Sequence, residues 1–143
     1  MLTDEIADPD AVTPEELRAE YLSTLRDAVE SVGVDAVAEQ SDIATERLDA
    51  LVAGESLTFT LEEAAAILGT SDDWPGAEGI LLEVRDHVML QMSSAVMDVD
   101  ALAAGLDGDL DPKEIQQKIE GRQPMTLAEY ARIYRYIASE NPY

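Results

Sequence analysis

Few side chains in this sequence have the chemistry of a catalytic centre. Its one histidine, His87, follows Asp86, and an imidazole beside a carboxylate is a familiar pair for general acid–base catalysis. Neighbours on a helix point in different directions, however, so His87 reads as an ordinary helix residue. Glu62–Glu63 and Asp72–Asp73 fail the same test and read as solvated charge. The absence of cysteine excludes disulfides and thiolate metal sites, and a metal centre would have to be built from carboxylates alone. No nucleophile motif and no glycine-rich phosphate loop occurs. The expectation is a protein that is not an enzyme, with no catalytic residue, no cofactor and no metal. What remains are side chains suited to binding: Lys113, Gln116, Gln117, Lys118 and Arg122, with Arg132 and Arg135 following. Trp74, the only tryptophan, stands before Pro75 and is an anchor either for a partner or for the chain's own core.

The elements that must carry these residues read as helices. A Ser, Thr or Asp with Glu three residues later lets side chain and backbone satisfy each other's unpaired donors at a helix start. Thr13 with Glu16, Thr60 with Glu63, Asp111 with Glu114 and Thr126 with Glu129 fit, and Pro14 and Pro112 stand at first helical positions. Leu17, Tyr21, Leu25, Ala28 and Val32 recur at helical spacing and predict a long helix over 14–32. Leu81, Val84, Val88, Met92 and Val96 predict its counterpart over 79–97. Tyr130, Ile133, Tyr134 and Ile137 form a core stripe on a last helix, and Met89, Met92 and Met97 read as core filler. Residues 1–12, polar and acidic without periodicity, are expected to form a flexible leader.

The chain also repeats itself. GVDAVAE from Gly33 returns as DVDALAA from Asp98; LDALVAGES, stopping its helix at Gly54, returns as IQQKIEGRQ with a stop at Gly121; TLEEAAAIL from Thr60 returns as TLAEYARIY from Thr126. The offset drifts only from 65 through 67 to 66 residues, as for a duplicated helical unit with two small indels. Glycines and a proline in GTSDDWPGAEG mark the junction. The expected fold is all-α: two tandem four-helix units over 13–69 and 79–143, joined by a linker over 70–78. A pseudo-twofold arrangement would pack the two long helices on one another.

In the first unit Ile43 lies five residues after Ala38, Leu48 ten and Gly54 sixteen. This spacing resembles the helix-turn-helix of Cro and phage-repressor-like regulators, with a small alanine where the helices approach, an aliphatic plug in the turn and a recognition helix ended by glycine. The second unit keeps Ala103, Ile115 and Gly121, with extra residues around Gly108 and Asp109 that loosen its turn. Val52 and Ile119 stand where the family usually has an acid. The resemblance implies a transcriptional regulator that meets double-stranded DNA with the outer face of each third helix. In the first unit that face is Thr45, Glu46, Asp49 and Ala50, whose acids would repel phosphate. In the second it is Lys113, Gln116 and Gln117, flanked by Lys118 and Arg122. Glutamine can pair with adenine, and Lys or Arg with guanine or phosphate, so the resemblance assigns DNA contact to these five residues.

Charge pulls the other way. The chain holds 31 acids against 9 bases, a net −22. Residues 1–97 carry 22 acids and 4 bases, and residues 98–143 carry 9 and 5. Acids scattered through every segment mean an acidic surface on a folded body. Near molar salt the Debye length falls to about 3 Å and self-repulsion is screened, while phosphate contacts weaken by the same mechanism. The whole chain resembles a family of short, acidic, uncharacterised proteins of haloarchaea, which implies an archaeal, halophilic source but no activity. The alternative function is an acidic interaction module that binds a basic protein partner or mimics nucleic-acid charge, with Trp74 as anchor; a homodimer is compatible with either. The longest aliphatic run, residues 64–68, is far short of a membrane span, and the N-terminus lacks a basic, apolar signal. A cytoplasmic protein that does not engage membranes is expected.

Overall fold

The computed structural model describes residues 2, 3, 6, 8–55 and 57–141. Over these residues the regular structure is helical: a 3-10 turn at Pro9–Ala11, then α1 (Pro14–Val32), α2 (Val34–Ser41), α3 (Thr45–Val52), α4 (Leu61–Leu68), α5 (Ala77–Ser94), α6 (Val99–Gly105), α7 (Pro112–Ile119) and α8 (Leu127–Glu140). The all-α expectation holds. Side chains cap five of the helix starts, those of Thr13, Thr60, Asp98, Asp111 and Thr126, each accepting from a backbone N–H three residues on. Such a cap contributes about 1 kcal/mol. Asp98 escapes the Glu-three-later rule because Ala101 occupies that place. At Thr60 and Thr126 the box is complete, with Glu63 and Glu129 accepting from the cap's own N–H at 3.0 and 2.9 Å.

Helices α3 and α7 also end alike. Gly54 and Gly121 take left-handed φ values of 89° and 80°. Gly54 N donates to Leu51 O and Glu55 N to Ala50 O, while Gly121 N donates to Lys118 O and Arg122 N to Gln117 O. This pair of bonds is the Schellman closure, which needs a residue without a Cβ penalty at positive φ. The turn between α2 and α3 is Asp42–Ala44, plugged by buried Ile43; between α6 and α7 it lengthens to residues 106–111, with Leu106 buried.

The two halves of the chain meet at the starts of α4 and α8. Leu61 N donates to Met125 O at 2.7 Å and Leu127 N donates to Phe59 O at 2.9 Å, an antiparallel bridge between Thr60 and Thr126. All four flanking side chains, Phe59, Leu61, Met125 and Leu127, are buried. Packing around this point is exchanged: α1 lies chiefly on α8 and α5 on α4, so each half's first helix covers the other half's last. The long helices were expected to pack on one another; instead each takes the other half's capping-box helix as its main partner across the divide. One hydrophobic cluster runs through residues of both halves. Tyr21 of α1, Tyr130 and Tyr134 of α8 and His87 of α5 follow one another across this seam, with ring centroids 5.6–5.8 Å apart. The expected stripe Tyr130, Ile133, Tyr134 and Ile137 is buried throughout.

Three further expectations are corrected. The leader packs where it is described: Leu2 is 3% exposed, its carbonyl accepts from Tyr130 Oη, and Arg135 Nε donates to Val12 O at 2.7 Å. Its apolar residues Leu2, Ile6 and Val12, overlooked among the acids, supply that packing; Met1, Asp4, Glu5 and Ala7 lie outside the described residues. Val96 does not extend the α5 stripe, because the helix ends at Ser94 and Val96, at φ 53°, is 92% exposed. Met89 is not core filler; the buried α5 stripe is Ile80, Val84, Val88 and Met92.

Between α4 and α5 the chain turns tightly. A Cβ on Gly69 would fall 2.8 Å from Ala77 N and 3.0 Å from Ala65 O, so only glycine lets the start of α5 close on the end of α4. Gly69→Ala is expected to lower unfolding free energy by about 1–3 kcal/mol through overpacking. Gly79→Ala, on an exposed side of α5, should be neutral or stabilising by up to about 1 kcal/mol. Denaturant unfolding of both variants in molar KCl checks this; equal stabilities would show that the close approach imposes nothing.

Candidate partner-binding surfaces

Helix α7 begins behind the Asp111 cap and Pro112 and buries Ile115 and Ile119. That fixes the outer positions expected to meet DNA. Lys113 and Gln116 are exposed and Gln117 is half-buried. Gln116 Nε2 donates to Glu120 Oε1 at 3.0 Å, Gln123 Nε2 donates to Gln117 Oε1, and Arg122 pairs with Glu120. Lys118 is turned away from the outer face: its ammonium meets Glu129 of the α8 capping box, and the two side chains are only 12% and 21% exposed. The five residues are neighbours in space, yet four of them have intramolecular polar partners.

The other cations are used in the same way. Arg18 donates to Leu57 O at 2.7 Å and Arg26 to Leu51 O at 2.8 Å. Arg47 pairs with Glu63, donates to Thr58 O at 2.8 Å and lies over the Phe59 ring, 4.6 Å from its centroid. Arg132 reaches Leu106 O at 3.2 Å and Asp109 at 2.8 Å. Arg85 packs over Gly121, where any Cβ would collide with its guanidinium. Seven of the nine basic side chains are half-buried; Lys113 and Arg122 are the exposed two. A guanidinium presents a fork of donors that suits the unpaired carbonyls of loops and helix ends, which explains why arginine carries most of this work.

The acids face outward. In the first half Asp35, Glu39, Asp42, Glu46 and Asp49 are all exposed along α2, its turn and α3. Thr45 is also exposed and Ala50 half-buried, so the outer face of α3 carries Glu46 and Asp49 with no cation beside them on that helix but Arg47, which is engaged elsewhere.

The remaining candidates have structural surroundings. His87 is half-buried, with Nε2 2.8 Å from Tyr134 Oη, tying α5 to α8, while Asp86 is exposed. Trp74 is half-buried against the core and borders a cavity of about 30 Å³ with Leu2, Leu68 and Ile80. Among the described residues no group of three or more His, Asp or Glu is placed to hold a metal ion, and no helix is long and apolar enough to cross a membrane. Among the described residues the large apolar side chains that stay exposed are Leu82, Met89, Leu90 and Val96, of which the sequence reading passed over Leu82 and Leu90 and placed Met89 and Val96 in the core. Three of them interleave with the buried stripe on α5, where a single periodicity hides a second face.

Ion pairing shifts the box acids. Arg47's hydrogen bond pulls the Glu63 carboxyl below its ordinary range. Burial pushes Glu129 up, but the Lys118 bond and the two bonds within the cap outweigh it and leave it lowered. For a depressed carboxyl the stabilisation is complete above its ordinary value of 4.5 and is lost as pH falls through the folded value. Glu129→Gln keeps the cap's acceptor while removing the ion pair. It should lower stability by about 1–2 kcal/mol at neutral pH, and the gap to wild type should close as pH drops below 4.5. Thermal unfolding across pH reads both; a gap that persists in acid would show that the ion pair is not its source.

No curated protein and no solved structure gives a significant match to the chain. A family model does, over residues 17–140, a span running from the first turn of α1 to the end of α8: the chain belongs to the family of unknown function DUF5791.

Proposed function

We propose that this protein is a non-enzymatic, acidic interaction module of two helix-turn-helix-like units, and that its surface engages a basic protein partner. The observation that carries this reading is the direction of its charges. Cations are drawn inward onto carbonyls and box carboxylates, while Asp35, Glu39, Asp42, Glu46 and Asp49 stand exposed along α2 and α3. In a repressor-like unit this is the side that meets the phosphate backbone. Carboxylates there repel DNA and attract the kind of lysine- and arginine-rich surface that DNA-binding proteins display, so the module competes with nucleic acid for such a partner. The net −22 agrees with a halophilic, archaeal cytoplasm, where close, partly desolvated ion pairs outlast screening better than long-range attraction.

A second reading rests on the two exposed cations. Lys113 and Arg122 flank α7 beside exposed Gln116, and α7 of the second unit would then be the DNA-reading helix of a regulator.

One titration separates the two. A lysine- and arginine-rich peptide and a pool of random-sequence duplexes are each added to the wild type across a range of KCl. The module reading expects peptide binding that weakens with salt and falls about tenfold or more in Glu46→Lys/Asp49→Lys. Charge reversal at Glu16 and Glu20 of α1 should cost much less. Equal losses for the two variants would reduce the binding to unspecific attraction and contradict the proposal. Duplex binding in molar KCl that disappears in Lys113→Ala/Gln116→Ala would replace it with the regulator reading.

A further inference from the structure

Among the described residues the exposed large apolar side chains are gathered in one place. Leu82, Met89 and Leu90 on α5 are 62%, 47% and 65% exposed, and Val96, just past its end, is 92% exposed. α1, which occupies the corresponding place in the first half, is covered by α2, α3, α4 and α8, whereas α5 has its main contacts with α4 and α8 alone. One side of α5 is therefore left open, and at Met89 it meets a groove of about 350 Å³ lined by Met89, Met92, Val99 and Ile119 together with Asp98, Gln116 and Glu120.

Three of the four, Met89, Leu90 and Val96, lie in the part of the chain that carries least charge, while Leu82 stands beside Glu83. Residues 87–97 hold no Asp, Glu, Lys or Arg over eleven positions, the longest such run in a sequence with 31 acids. That selects the occupant. A basic partner drawn to this molecule by its carboxylates would leave its own cations facing a surface with nothing to pair them. A second copy, itself at −22, is repelled most where the surface is densely acidic and can approach most closely where the chain carries least charge. We infer that two copies associate through α5, as an antiparallel, isologous contact.

The spacing suits a register centred on Met89, two helical turns from Leu82 within α5 and followed by Val96 just past the helix end. Met89 lies seven residues from both Leu82 and Val96. With the twofold axis at Met89, Leu82 of each chain meets Val96 of the other, as a self-complementary contact requires. Glu83, Arg85 and Asp86 then oppose the uncharged residues 92–95 of the second copy and not one another. The salt response also follows. Screening removes the repulsion between the two acidic bodies, so association should rise with KCl. This is the opposite of the response expected for the basic partner, and the inference does not depend on that reading.

Light scattering on the full chain measures it. The mass is expected to rise toward twice 15.5 kDa as KCl goes from low to molar, and Leu90→Glu should stay monomeric with unchanged helicity; Leu82→Glu is the parallel variant should the first fold poorly. The chain has no cysteine, so Met89→Cys under mild oxidation should cross-link to itself, and Asp49→Cys on α3 should not. A wild type that remains monomeric at every KCl concentration would overturn the inference. So would a dimer that survives both glutamate variants, or one whose cross-link forms as readily at Asp49→Cys as at Met89→Cys.

Discussion

Two backbone donors set the architecture of this protein. The first residue of an α-helix has an N–H with no partner inside its own helix. In α4 and α8 that residue is a leucine, and each N–H is satisfied by a carbonyl from the other half: Leu61 by Met125, and Leu127 by Phe59. The capping boxes of Thr60 and Thr126 satisfy the donors on either side of these bonds. Two helix starts that would each need water thus close on one another in an apolar surround of Phe59, Leu61, Met125 and Leu127. A buried backbone donor left unpaired costs about 1–3 kcal/mol, so neither helix start is stable in this surround without the other. The exchanged packing of α1 on α8 and α5 on α4 follows from bringing these two points together.

The second constraint is what a chain with few cations does with them. Each box acid is held by a cation from the helix before it, Glu63 by Arg47 of α3 and Glu129 by Lys118 of α7. Arg18, Arg26, Arg132 and Arg135 hold carbonyls at loops and helix ends. A half-buried acceptor needs a donor at any salt concentration, whereas an exposed carboxylate is solvated by water. The molecule therefore places its bases where desolvation makes them count and leaves its acids to solvent. The unlike character of the two third helices, acidic in α3 and mixed in α7, is the outer trace of this arrangement.

Much of this was legible in the residues. The capping boxes announced α1, α4, α7 and α8, the repeated Thr-Leu pairs marked the two helix starts that meet, and the glycines at 54 and 121 marked helix ends at positive φ. What could not be read was which halves of the repeat touch, since a backbone bridge leaves no side-chain signature. Lys118 illustrates the difficulty at the candidate site. On α7 alone it sits beside Gln117 like any outward cation, and only the approach of α8 brings Glu129 within reach. Leu2 failed for a related reason: one leucine among acids shows no period, yet the Tyr130 hydroxyl and an apolar recess await it. On α5, an apolar stripe with exposed apolar neighbours reads from sequence as one broad core face, and the helices packed against it decide which residues are covered.

The central claim is that the bridge between Thr60 and Thr126 makes the two halves one cooperative structure. Native-state hydrogen exchange at the Leu61 and Leu127 amides tests it most directly. If the account holds, these two amides share one opening free energy, equal to that of global unfolding, and a destabilising change in either half lowers both together. Exchange of the two amides with different opening free energies, each following its own half, would contradict it.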